Sequence, residues 1–377
     1  MKIVIIGGHL APALSVLEAL PKATQVLFIG RKYALEGDNA LSLEYKTITA
    51  LCIPFVGLNT GRLQRKITRF TLFSLLKLPF GIIKSFLILI DFRPDVVMGF
   101  GGYVSIPVIF CASVLRIPVV IHEQTMGGGF ANKIVSRFAK KICISWDSSR
   151  EYFPKDKVIL TGNPMRKFPV MNAAVEGQCS IFKNKLPTIY VTGGSSGSHS
   201  INVLIEEVFR ELLGKYNIIH QVGNAHEYND FDRLKQLRES LPARLRDNYI
   251  LEKFIDPSQV GDLLKLSSLV ISRSGMNIVT ELIHFEKPAL LIPLPFSQNG
   301  EQQRNAEFLK KIGLGIVLSQ SKLNGKKLLQ SIRLMFRNID NYKINRESLG
   351  NLPGKNAAQN IISVINYVYK SKTAKTF

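Results

Sequence analysis

Leu269-Val-Ile-Ser-Arg-Ser-Gly-Met-Asn-Ile-Val-Thr-Glu281 runs from an apolar strand through an Arg-Ser-Gly turn into a helical pattern. A helix that starts on such a turn offers free N–H groups and a partial positive charge, which suit a diphosphate, and Gly275 lets the backbone approach it closely. Glu281 lies eight residues past Arg273, one to two turns into the helix. There a carboxylate can accept both hydroxyls of a ribose, as acidic residues do in dinucleotide-binding folds. Arg273, Ser274, Gly275 and Glu281 are therefore candidate nucleotide contacts. A strand-turn-helix with a surface Glu is also common in α/β proteins that bind nothing there, so the context of the segment has to decide.

The same strand-turn-helix unit recurs along the chain. Ile3–Ile6, Gln25–Ile29, Val96–Met98, Val119–Ile121, Lys141–Ser145 and Val158–Leu160 form one series of β-branched runs. Thr188–Val191, Ile218–Gln221, Ile250–Phe254, Leu269–Ser272, Ala289–Ile292 and Gly315–Leu318 form a second. Each run is followed by a glycine or polar turn and a helical pattern, which predicts parallel sheets covered on both faces. The expected architecture is α/β, with two doubly wound Rossmann-like domains facing a cleft. The boundaries read as 1–163 for the first domain, 164–186 for a linker with two prolines and 187–350 for the second domain. Residues 351–377 carry a helix, Ala357–Tyr369, that would pack back on the first domain.

Composition narrows the class. The chain has 377 residues, 46% hydrophobic and 20% charged, which excludes a disordered protein. Its 49 Lys and Arg against 28 Asp and Glu give a formal charge of +21, which favours an anionic partner: nucleic acid, anionic lipid or a phosphorylated substrate. Four cysteines without a CxxC pair argue against a zinc site or a disulfide framework and fit a reducing cytoplasm. Met1-Lys-Ile-Val-Ile-Ile-Gly7 reads as a first strand, neither a signal peptide nor an anchor. The histidines lack metal-ligand spacing, so no metal is expected.

Three glycine clusters follow strands: Gly7-Gly8-His9, Gly99-Phe100-Gly101-Gly102-Tyr103 and Gly193-Gly194-Ser195-Ser196-Gly197. Glycine pairs often serve only the turn, but three of them at strand carboxyl ends point to phosphate binding. Ser195 and Ser196 are expected to cap a helix start. His9 suits either a base that takes a proton from an attacking hydroxyl or an imidazole that packs the turn. His122-Glu123-Gln124, directly after the strand Val119–Ile121, suits loop hydrogen bonding or a direct part in the chemistry.

Between Tyr45 and Ile90 there is no acidic residue, while Arg62, Arg65, Lys66 and Arg69 lead into an apolar, aromatic stretch broken by Lys77, Pro79 and Lys84. The stretch is too interrupted to span a bilayer. It reads as an interfacial surface for anionic membrane, with most of its Ile and Leu covering the sheet. Nucleic acid fits less well, because no recognised motif accompanies the charge.

Taken in order, these motifs resemble the MurG family of N-acetylglucosaminyltransferases, glycosyltransferase family 28. The resemblance rests on Gly99-Phe-Gly-Gly-Tyr-Val-Ser105, Pro118-Val-Val-Ile-His-Glu-Gln124, Gly162-Asn-Pro-Met-Arg166, Gly193-Gly-Ser-Ser-Gly197 and Ser272-Arg-Ser-Gly275 with Glu281. Phe254-Ile255-Asp256 and Gln302-Gln303-Arg304-Asn305-Ala306 add to it. It implies a GT-B fold, UDP-GlcNAc mostly on the second domain and a polyprenyl-diphosphate acceptor, lipid I, on the first. It also implies inverting transfer to the MurNAc C4 hydroxyl with no obligatory cofactor, by a peripheral protein at the cytoplasmic face of the membrane. Carried onto this chain, Glu281 holds the ribose, Phe254 and Ile255 hold the uracil through their backbone, Arg166 and Ser195 the diphosphate, and Gln302 or Gln303 the sugar. Gly7, Gly8, His9, Gly101, Gly102, Tyr103, His122, Glu123, Gln124 and Thr125 fall near the acceptor or sugar. Compared with the family pattern, the first glycine loop is three residues shorter, Thr125 stands in place of Asn, and one residue is missing between Phe296 and Asn305. The alternatives are a related GT-B transferase acting on another lipid-linked acceptor and a non-catalytic nucleotide-sugar-binding protein.

Overall fold

The computed structural model describes residues 1–33, 40–60, 69–166, 181–223, 227–349 and 356–373, with 69–77, 298, 346, 348, 372 and 373 described by backbone alone. By its internal contacts the chain divides into two compact units, Met1–Arg166 with Asn351–Phe377, and Lys167–Gly350. Each is built on a parallel sheet of the Rossmann-like α/β kind.

The first unit holds β1 (Lys2–Ile6), β2 (Gln25–Gly30), β3 (Phe55–Gly57), β4 (Val96–Gly99), β5 (Val119–Glu123), β6 (Lys141–Ile144) and β7 (Val158–Leu160) in the order β3-β2-β1-β4-β5-β6-β7. Its helices include α1 (Leu10–Ala19), α2 (Leu43–Ala50), α3 (Arg69–Phe92), α4 (Ser105–Val114) and α5 (Phe130–Val135). Ile3, Ile5, Phe28, Val96 and Met98 face one layer of core, and Val4, Ile6, Ile29, Val97 and Ile121 the other. A parallel strand covered on both faces needs such unbroken β-branched runs. The helix Ala357–Thr373 completes the first layer with Ile361, Ile365 and Val368, packing on α1 and on β4 to β6.

The second unit holds β8 (Thr188–Thr192), β9 (Asn217–Gln221), β10 (Tyr249–Glu252), β11 (Leu269–Ser272), β12 (Ala289–Leu291) and β13 (Gly315–Val317) in the order β10-β9-β8-β11-β12-β13. Helix α6 (His199–Glu207) follows β8. In both sheets the order reverses beside the first strand, between β1 and β4 and between β8 and β11. Ligands of open α/β sheets bind beyond the strand carboxyl ends at that reversal. The three glycine clusters and the Arg-Ser-Gly turn all lie at these two points.

The structure corrects the sequence reading in several places. Strand β3 was not expected: it has three residues at a sheet edge, just after Pro54, too few for periodicity to show. Strand β5 continues through His122 and Glu123, and β10 ends at Glu252, before Phe254. Phe182, read as linker, is buried in the core of the second unit. Ser195 and Ser196 do not cap a helix. They are exposed in the turn, and the cap position of α6 falls to Ser198.

Candidate functional site

In the second unit, two turns meet at the reversal point. Gly194 and Gly197 take positive φ (86° and 79°), a region that favours glycine. A Cβ at Gly197 would strike the Val222 carbonyl and Gly223, so this turn lies directly on the end of β9. Gln221 fastens it: its Oε1 accepts from Tyr190 OH at 2.9 Å, and its Nε2 donates to Gly194 O at 3.3 Å. At Gly194, by contrast, a Cβ would meet nothing within 4 Å.

The Arg273-Ser274-Gly275 turn is braced on its inner side. Ser274 Oγ donates to Gln302 O at 2.8 Å, and Asn305 Nδ2 donates to Ser274 O at 3.0 Å. Arg273 was expected to face the nucleotide. Its guanidinium instead donates to Ile292 O (3.0 Å), Gln320 Oε1 (2.7 Å) and Ser200 Oγ (3.3 Å), tying β11, β12 and α6 together. Burial lowers its pKa from the usual range. Gly275 caps the helix Met276–His284 at an ordinary φ of −63°, and a Cβ there would also meet nothing within 4 Å. The glycine is therefore not required by the backbone. What it leaves open is access to the first N–H groups of that helix. Glu281 is buried one to two turns further along.

Of the other residues expected to contact the nucleotide sugar, Ile255 is buried and Phe254 exposed just beyond β10. Gln302 Oε1 accepts from Leu294 N at 2.9 Å, so this side chain shapes the loop before its helix. Gln303 is exposed and donates to Glu307 Oε1 at 3.0 Å. Arg166 is partly exposed at the end of the first unit.

Sequence reasoning missed a polar network behind the glycine turn. His199, the first residue of α6, pairs with Asp230 (2.8 Å), which also accepts from Asn202 Nδ2 (2.8 Å) and Arg233 (2.7 Å). Asn202 Oδ1 in turn meets His220 Nε2 at 3.0 Å, and His220 Nδ1 meets Tyr249 OH at 2.9 Å. Apart from the i,i+3 pair of Asp230 and Arg233, the bonded residues lie 18 to 31 positions apart along the chain, and no local pattern links them.

In the first unit the two glycine turns interlock. A Cβ at Gly8 would lie 2.5 Å from Gly101 O and 2.8 Å from Phe100 O, so backbone packs on backbone. His9 N donates to Phe100 O at 3.1 Å, and His9 takes the cap position of α1 without a side-chain cap bond. Its partly exposed imidazole lies beside Gly101, where a Cβ would sit 3.5 Å from His9 Cδ2 and 3.6 Å from Asn132 Nδ2. Gly102 and Tyr103 border a cavity of about 250 Å³ with Gly7, Gly8, Arg31 and Glu44.

The His122-Glu123-Gln124 cluster is tied into its loop by hydrogen bonds. Glu123 is fully buried, and its carboxylate accepts from Thr125 N (2.7 Å), Thr125 Oγ1 (2.6 Å), Gly129 N (2.6 Å) and Asn132 Nδ2 (3.0 Å). Gln124 O accepts from Trp146 Nε1 at 3.0 Å, and Thr125 O from Ser149 Oγ at 2.7 Å. His122 Nε2 meets Ser145 Oγ (3.0 Å) and Gly162 O (3.3 Å). Burial pushes the His122 pKa down to about 3, so the ring stays neutral.

Burial does the same to His220, also to about 3. Both rings charge near pH 6.5 in the unfolded chain, so between pH 6.5 and 3 the unfolded state binds two protons that the native state refuses. Stability present at neutral pH is then lost as pH falls below 6.5. Linkage predicts that these two histidines remove about 1–1.5 kcal/mol between pH 7 and pH 6. Urea unfolding at the two pH values checks this, and equal stability would refute it.

Among the described residues, no group of three His, Cys, Asp or Glu could hold a metal ion. Nor is any helix long and apolar enough to cross a membrane. Arg62, Arg65 and Lys66 lie outside the described residues, and Arg69 is described only as the first residue of α3. What α3 does show is a stripe: Phe80, Ile83, Leu87 and Ile90, spaced by three and four residues, are all exposed. Phe110 and Val114 are exposed on the neighbouring α4. Phe80, Ile83, Leu87 and Ile90 belong to the stretch read from sequence as an interfacial surface, whereas Phe110 and Val114 were not singled out.

Two family models match the chain: the glycosyltransferase family 28 N-terminal domain over residues 6–144, and the C-terminal domain of the same family over residues 188–363. The UDP-N-acetylglucosamine--N-acetylmuramyl-(pentapeptide) pyrophosphoryl-undecaprenol N-acetylglucosamine transferase of Lachnospira eligens is 32% identical over 353 residues, 92% of this chain and 94% of that one. The transferase of the same name from Treponema denticola is 34% identical, covering 83% of this chain and 81% of its own. Among solved structures, Acinetobacter baumannii MurG superposes with a TM-score of 0.70 at 25% identity, covering 97% of this chain and all of that one. UDP-GlcNAc 2-epimerase from Neisseria meningitidis, bound to UDP-GlcNAc, shares the fold alone, with a TM-score of 0.63 at 16% identity over 97% of this chain and all of its own.

Proposed function

The chain belongs to glycosyltransferase family 28, and from that premise we propose how it acts. It is an N-acetylglucosaminyltransferase that moves GlcNAc from UDP-GlcNAc to lipid I, forming lipid II in peptidoglycan synthesis. The observation that carries this reading is the match to transferases of that activity along both units. The acceptor C4 hydroxyl oxygen bonds to C1 of GlcNAc as the bond from C1 to the β-phosphate oxygen breaks. Configuration at C1 inverts, and UDP leaves with the electron pair.

The second unit supplies the donor contacts. Glu281 takes the ribose hydroxyls, and backbone at Phe254 and Ile255 takes the uracil. The open N–H groups after Gly194 and Gly275 stabilise the departing diphosphate, a role that Arg166, the last residue of the Met1–Arg166 segment, shares. Fixed dipoles and a guanidinium thereby fill the electrostatic role a cation could take, and no metal is required. Gln302 or Gln303 contacts the sugar. His9, partly exposed at the interlocked glycine turns, receives the proton of the attacking hydroxyl. Purified protein should release UDP from UDP-GlcNAc with lipid I and far more slowly with other polyprenyl-diphosphate sugars. Equal rates on another acceptor would move the chain to a different substrate, and no transfer to any acceptor would leave it a nucleotide-sugar-binding protein.

The protein works at the cytoplasmic membrane face as a peripheral enzyme. Support comes from the exposed apolar stripe on α3, next to α4, in a chain of charge +21. Introducing charge at the centre of the stripe, Ile83→Glu with Leu87→Glu, should lower co-sedimentation with anionic vesicles about tenfold or more, since each side chain contributes on the order of 1 kcal/mol or more when buried in lipid. Binding that survives both changes and is indifferent to anionic lipid would remove the membrane from this reading.

A further inference from the structure

Glu44 was not singled out by sequence, yet it sits on the first glycine turn. Ser42 caps α2, its Oγ accepting from Tyr45 N at 3.0 Å and donating to Arg31 O at 2.5 Å, while Ser42 N donates to Lys32 O at 2.9 Å. These bonds fasten the start of α2 to the chain just past β2 and lay Glu44, in the first turn, over the strand ends. There its Oε2 accepts from Arg31 N at 2.9 Å, and the Gly8 N–H donates to the same carboxylate. A Cβ at Gly7, after β1, or at Gly30, the last residue of β2, would collide with that carboxylate. The two glycines thus make room for an internal anion.

The carboxylate is also one wall of the cavity of about 250 Å³, opposite Gly102 and Tyr103. Arg31 lines the same cavity, with its guanidinium 5.6 Å from the centre of the Tyr103 ring. Removal from water raises the Glu44 pKa, opposed by the Arg31 and Gly8 N–H groups and by the Arg31 charge.

We propose that Glu44 holds the anion seat of the first glycine turn, so that this cavity rejects phosphate groups and admits an uncharged, hydroxyl-bearing part of the acceptor. Backbone N–H groups at strand ends and glycine turns are the usual receivers of an oxyanion. Here two of them already hold a carboxylate. A phosphate entering the cavity would meet a like charge away from water, where repulsion is strong. A hydroxyl, in contrast, can donate to the lone pairs that the two N–H groups leave over. The diphosphate of the acceptor then sits outside this turn. The inference rests on the first unit holding the acceptor, but its test needs neither acceptor nor turnover.

The test is calorimetric titration of inorganic sulfate into protein saturated with UDP, so that the nucleotide site is filled. Wild-type protein should show no sulfate site in this unit at millimolar concentrations. Glu44→Ala, which frees both N–H groups and leaves Arg31 unopposed, should bind sulfate at least tenfold more tightly. Glu44→Gln, which keeps a neutral oxygen on them, should fall in between. UDP affinity and a cooperative thermal melt report whether each variant is folded. If Glu44→Ala fails to fold, a gain of several-fold in Glu44→Gln still supports the proposal. A folded variant of either kind that binds sulfate no better than wild type overturns it.

Discussion

Glu281→Ala should raise the KM for UDP-GlcNAc by about a hundredfold, with a much smaller change in kcat. A hydrogen bond to a charged group contributes about 1.5–3 kcal/mol, so losing two hydroxyl contacts to one carboxylate amounts to roughly 3 kcal/mol or more of donor binding. Glu281 is rigidly placed for this: it is buried on the helix that starts at Gly275, and that helix is anchored through Ser274 and Asn305. A double-mutant cycle separates recognition from general damage. Wild-type protein should bind 2′-deoxy-UDP about tenfold more weakly than UDP, one hydrogen bond being lost. The Glu281→Ala protein should bind the two alike. If it still discriminates between them, the carboxylate does not read the ribose.

The second large effect is on stability. Glu123→Ala should lower the free energy of unfolding of the first unit by about 3–5 kcal/mol, the range for leaving buried hydrogen-bonded groups without their charged partner. Four donors converge on this carboxylate, two at each oxygen, and the carboxylate itself is fully buried. Glu123→Gln is the informative variant. Its amide nitrogen must face two N–H or O–H donors, so it too should destabilise, by about half as much. A Glu123→Gln protein as stable as wild type but inactive would instead make Glu123 a catalytic group. Urea unfolding followed by circular dichroism, beside a UDP-release assay, distinguishes the two.

Much of the fold was legible because parallel strands covered on both faces have to be β-branched and unbroken, and glycine has to follow where two backbones approach. Val4 to Ile6 and Val270 to Ser272 could hardly be read otherwise. The geometry of the candidate site was legible only where a local run carried it, as in the strand-turn-helix from Leu269 to Glu281. Even there the direction of a side chain was not: Arg273 turns inward to Ile292, Gln320 and Ser200 because the strand ends offer acceptors that sequence cannot place. Glu44, Gln221 and Asp230 escaped notice for the same reason. Each acts on groups brought to it by sheet order, from 13 to 31 residues away. The α3 stretch was read as an interfacial surface, but which of its apolar side chains face outward was not legible. An apolar face at helical spacing looks the same in sequence whether it meets a sheet or is left exposed.

The helix Ala357–Thr373 belongs to the core of the first unit although the whole second unit precedes it in the chain. On the ribosome the two units therefore cannot mature in the order in which they are written. Ile3, Ile5 and Phe28 emerge early but lack Ile361, Ile365 and Val368 until residues 361–368 are made, whereas the inserted unit has all its strands by residue 317. Nascent chains arrested near residue 350 should thus carry a completed second unit beside an unfinished first one, whose exposed apolar surface is the part a chaperone would have to shield.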